Sequence, residues 1–79
     1  MNDKALYEQK GFLNSLRLFK NRVEMVSLGL KQVIPLSNVA TVEKMPLINQ
    51  VNLRMNNGKT IAVYPKRLNE FLDAIYGLV

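Results

Sequence analysis

The sequence predicts a mainly β chain of the α+β class, about six antiparallel strands followed by one C-terminal helix. Three observations carry this. Apolar and polar residues alternate with a period of two through most of the segment from Phe12 to Tyr64. Asn56-Asn57-Gly58 separates two such runs with the residue types that make tight turns. Beyond Pro65, Leu68, Phe71, Leu72 and Ile75 fall at i, i+3, i+4 and i+7, the apolar stripe of a helix lying on a core. The 79 residues make one domain, 1–79, with strands expected over 12–64 and the helix over 66–76.

Residues 1–10 are polar and open to two readings. Asn2 or Asp3 can cap a helical turn carrying Leu6 and Tyr7, with Gly11 as its left-handed stop. A frayed tail fits equally well. From there Leu16 and Leu18 alternate with Ser15 and Arg17, and Val23 and Met25 resume after Lys20-Asn21. A two-residue turn at Lys20-Asn21 opposes Leu18 to Val23 and Leu16 to Met25. The same register sets Arg17 against Glu24 on the other face, where the two charges can pair.

Gly29-Leu30-Lys31 reads as the next turn. Gln32-Val33-Ile34 then forms a strand in which Pro35, lacking an N–H, marks an edge or a bend. Ser37-Asn38 breaks the run, Val39 to Glu43 resumes it, and Met45-Pro46-Leu47 leads by a loop to Val51. The last hairpin is decided by parity. A two-residue Asn57-Gly58 turn would set Arg54 against Ile61 and mix the faces. A three-residue loop opposes Leu53 to Ile61 and Val51 to Val63, with Gly58 left-handed in a G1 bulge. Turn chemistry accounts for this loop without a ligand. Pro65 suits the first position of the helix and Gly77 its stop.

Composition narrows the function classes. Apolar residues at 48% and charged ones at 22% are those of a globular chain. No apolar run approaches the roughly 18 residues that cross a bilayer, and the first ten residues lack the apolar core of a signal peptide. The expected location is the cytoplasm. There is no His and no Cys, hence no common general base, metal ligand or thiol nucleophile. Glu70 and Asp73 lie one turn apart but flank the buried stripe as a solvated face, and no glycine-rich phosphate loop is present. The expectation is a protein that is not an enzyme and carries no cofactor or metal.

The order of elements, together with three local patterns, resembles the small bacterial pleckstrin-homology-like domains. Tyr7-Glu8-Gln9-Lys10-Gly11 is similar to their aromatic-to-glycine entry. The stretch from Ile34-Pro35-Leu36 through Ser37-Asn38 to Val39-Ala40-Thr41-Val42-Glu43 resembles a strand pair of that family. A strand, an Asn-Gly turn, a second strand and a closing amphipathic helix match its C-terminal half. The resemblance implies a small antiparallel barrel or half-barrel and a non-enzymatic binding scaffold. Since the family barrel has seven strands, either residues 1–10 supply the missing one or the barrel is incomplete. Relatives that hold inositol phosphates use a run of alternating cations on the first hairpin. Here Lys20 and Arg22 are followed by Glu24 on a very short loop, which speaks against that ligand.

Two surfaces are candidates for function. The outward-facing Leu13, Phe19, Val26 and Leu28 leave the first sheet apolar on both sides, so a second copy or another protein is expected to cover them. A chain this short buries only about 60–65% of its unfolded surface, which favours self-association. The alternative rests on the net charge of +5, which steers anionic partners. Lys59, Tyr64, Lys66 and Arg67, with Lys20 and Arg22, would then bind nucleic acid through salt-dependent phosphate contacts. Lys66 and Arg67 in the first helical turn oppose the macrodipole at about 0.3–1 kcal/mol each, a cost that a function could explain. An anionic-lipid surface is a weaker reading of the same residues.

Overall fold

The computed structural model describes residues 4–45 and 47–79, so the expectations placed on Asn2, Asp3 and Pro46 fall outside the described residues. Four antiparallel strands form one sheet in sequence order: β1 (Tyr7–Lys10), β2 (Asn14–Leu18), β3 (Arg22–Ser27) and β4 (Leu30–Pro35). A 3-10 turn at Leu36–Asn38 leads to a second sheet of β5 (Val39–Lys44), β6 (Val51–Met55) and β7 (Thr60–Val63). Helix α1 (Leu68–Tyr76) ends the chain. Among the described residues the two sheets do not close into one barrel.

Tyr7–Lys10 is therefore a strand, not part of a helical turn or a tail. Its register pairs Tyr7 with Leu18 and Gln9 with Leu16. The competing helix lost because Tyr7 is worth more inside: its ring, almost fully buried, meets Phe71 of α1 edge to face, with centroids 5.2 Å apart. Gly11 is not left-handed, since only Gly29 and Gly58 among the described glycines have positive φ.

The registers expected from parity hold in the β2–β3 and β6–β7 hairpins. Leu18 faces Val23, Leu16 faces Met25 and Arg17 faces Glu24 around Lys20-Asn21. Leu53 faces Ile61 and Val51 faces Val63 around the three-residue loop. Gly58 has φ +89°, its N–H bonds the Met55 carbonyl at 3.0 Å, and the Asn57 side chain accepts from the Lys59 N–H at 3.0 Å. The turn between β3 and β4 sits earlier than expected, at Leu28-Gly29, so Leu30 and Lys31 belong to the strand.

The inner faces of both sheets and the helix stripe share one core. Leu16, Leu18, Val23, Ile34, Val51, Leu53 and Val63 meet Phe71, Leu72 and Ile75 there. The helix starts at Leu68 rather than 66, because Pro65 is fully buried and Lys66 and Arg67 are spent on fastening the chain to β1. The Gln9 side-chain amide donates to the Tyr64 carbonyl at 3.2 Å and accepts from the Lys66 N–H at 2.8 Å. The Tyr7 hydroxyl donates to Gln9 Oε1 and accepts from the Arg67 N–H at 3.3 Å. One glutamine side chain of β1 thus binds both a carbonyl and an N–H of the chain that leads into α1. No helix among the described residues is long and apolar enough to cross a membrane.

Candidate interaction surface

Two loops meet at one end of the four-stranded sheet. The first is Gly11-Phe12-Leu13 between β1 and β2, closed by the Gly11 N–H on the Asn14 carbonyl at 2.7 Å. The second is the Leu28-Gly29 turn, tied to the first by the Leu28 N–H on the Leu13 carbonyl at 2.9 Å. They form a tip at which Phe12 is 98% exposed, Leu28 73% and Leu13 55%. Leu30, the first residue of β4, adds 78% exposure beside it. A recess of about 390 Å³ lies against this tip, lined among others by Lys10, Phe12, Leu13, Arg17, Val26 and Leu28.

The backbone beneath the tip is unusual. Leu28 has φ +52° and Gly29 φ +82°, the pair of positive values that a type I′ turn requires. Asn or Gly takes the first of these positions at little cost. A leucine there forfeits roughly 1–2 kcal/mol through the contact between Cβ and carbonyl. The turn therefore carries an apolar side chain, pointing into solvent, where a polar one would be less strained.

Of the four residues expected on the outward apolar face, Leu13 and Leu28 are exposed and Val26 is half-buried. Phe19 is a correction: it is only 8% exposed. Parity does keep it off the continuous core, but the Arg22 guanidinium lies 4.1 Å above its ring and shields it as a cation–π lid. Phe12, Leu30 and the 47%-exposed Val33 were missed as outward residues. For Leu30 and Val33 the signal in the sequence is the parity of the β3–β4 hairpin. Placing the turn at Leu28-Gly29 sets Val23 against Ile34, a match of apolar inner residues that the later turn forfeits.

The expected Arg17–Glu24 ion pair is also replaced. Arg17 turns to Glu8 on the neighbouring strand at 2.7 Å. Glu24 is held by Arg22 at 2.6 Å and Lys31 at 3.4 Å. The hydrogen bond from Arg22 lowers its carboxyl below the usual carboxylate range, opposed by partial desolvation and helped by Lys31.

Two of the six residues of the nucleic-acid alternative, Arg22 and Arg67, are engaged by partners within the fold. Lys59 precedes β7 and Lys66 follows it, so the strand lies between them. Arg67 pairs with Glu70 at 3.1 Å, donates to the Glu8 carbonyl and lies 4.9 Å from the Tyr7 ring centroid. Arg22 is engaged by Glu24 and Phe19, while Lys20 stands at the β2–β3 turn. Tyr64 is exposed, on the rim of a second cleft of about 240 Å³ where β7 parts from the first sheet. No group of three or more metal-ligating side chains occurs among the described residues.

Comparison with protein-family models, with curated proteins and with solved structures yields no match to this chain.

Proposed function

We propose that this protein is a non-enzymatic interaction module of the cytoplasm that buries its apolar tip, Phe12, Leu13, Leu28 and Leu30, against a second copy or another protein. The observation that carries this is Leu28. The fold accepts an unfavourable backbone conformation to present a leucine to solvent beside an almost fully exposed phenylalanine. Neither residue serves the core. The element count supports the resemblance to small bacterial pleckstrin-homology-like domains: β1 makes the seventh strand and α1 packs at the end of the chain. In that setting the module is a scaffold whose working parts are loops.

The test is self-association by sedimentation velocity with Phe12→Glu and Leu28→Glu. Both variants are expected to fold as wild type and to lose concentration-dependent assembly. Assembly unchanged in both variants would contradict the proposal.

A further inference from the structure

We infer that a second copy of this chain docks by antiparallel pairing of β4 with β4, resting on the reading of the adjacent tip as an interaction surface. The other sheet edges are blunted. The 64–67 segment covers β1 through Gln9, Tyr7 and Glu8. A bulge at Ala40 interrupts β5 between Val39 and Thr41. Strand β7 is only four residues long and stops short of buried Pro65. Strand β4 has six residues, no internal proline and no recorded register shift against β3. All of them but Ile34 are exposed.

The register of β4 decides which backbone groups are free. Ser27 and Leu30 flank the two-residue turn and form the closely bonded pair, so Met25–Gln32 and Val23–Ile34 are bonded pairs as well. The Leu36 N–H on the Asn21 carbonyl at 2.9 Å continues the same alternation. Lys31 and Val33 therefore direct their N–H and C=O groups away from β3, toward the open edge. No turn, loop or cap hydrogen bond reaches them among the described residues.

Three two-fold registers bring these free groups together. Setting Lys31 against Lys31 of the other copy opposes like charges directly. Setting Val33 against Val33 places Lys31 opposite Pro35, which has no N–H to give. Only the register with Lys31 against Val33 avoids both. It makes two pairs that each exchange both hydrogen bonds, and it lays the lysine stem along the valine. The two Gln32 residues then face each other at the axis as a non-bonded pair, and Leu30 meets Ile34. The strand is thus complementary to itself in one alignment, and the apolar tip lies next to the joint.

Because the chain has no cysteine, a single one reads the register directly. A non-bonded antiparallel pair brings its Cα atoms to about 4.5 Å, within disulfide reach. Gln32→Cys is expected to give a disulfide-linked dimer on mild oxidation, while Leu30→Cys, also exposed but facing Ile34, stays monomeric in denaturing gels. Val33→Pro should abolish wild-type-like dimerisation in sedimentation without changing the circular dichroism, because its N–H serves no bond within the chain. A dimer that survives Val33→Pro but falls to Phe12→Glu overturns strand pairing and leaves the tip reading standing. A wild-type chain that remains monomeric throughout removes both. Sedimentation of the protein with anionic phospholipid vesicles, lost with Phe12→Glu and without any dimer in solution, assigns the tip to a membrane and also overturns the inference.

Discussion

Leu28 concentrates the tension between folding and function in one residue. Replacing it by Asn keeps the type I′ geometry while relieving the strain at φ +52°. Leu28→Asn is expected to raise stability to urea by about 1 kcal/mol and at the same time to weaken self-association. A gain in stability with no loss of assembly would leave the exposed leucine without a role. Glu24 makes a second residue-scale case. Its carboxyl is lowered in the folded state by Arg22, so it contributes stability above the unfolded carboxylate range. That contribution is lost as pH falls through the folded value. Glu24→Gln should therefore cost roughly 1 kcal/mol at neutral pH. The difference from wild type should shrink as pH falls below the usual carboxylate range, as followed by denaturant titration at neutral and at acid pH.

At the scale of elements, β1 and the chain leading into α1 stabilise each other. Gln9 joins them by two hydrogen bonds to the 64–66 backbone, and Tyr7 joins them by its ring on Phe71. Phe71→Ala should cost about 3–5 kcal/mol, a large share of the stability of so small a domain. Gln9→Ala should cost about 1 kcal/mol. It should also speed amide exchange locally in 64–67 while leaving β6 and β7 protected, because the Lys66 N–H then has only water to bond. These elements also mark what the sequence could and could not disclose. Hairpins with alternating faces were legible because a slip of one residue turns every apolar side chain outward. The helix was legible from four residues of its stripe. The strand at Tyr7–Lys10 was not, because its four residues alternate only weakly and its own Gln9 side chain reaches across the edge to a backbone carbonyl 55 positions away.

The whole molecule joins a well-determined interior to a surface that local patterns describe poorly. Among the charges, Arg17, Arg22, Arg54 and Arg67 are each joined to a glutamate by the fold, so net charge alone did not locate a basic site. Phe19 was misread for the same reason: parity gives a face, but only the full arrangement shows that Arg22 lies over it. Among the exposed apolar residues, Phe12, Leu28, Leu30 and Val33 are the ones that fall together on the tip and the adjoining edge of β4. The most direct measurement is the sedimentation of wild type and Phe12→Glu over a wide concentration range, with circular dichroism as the check on folding. The account predicts a wild-type mass that rises toward a dimer and a folded variant that stays monomeric. A monomeric wild type at every concentration, or a variant that assembles equally well, would contradict it.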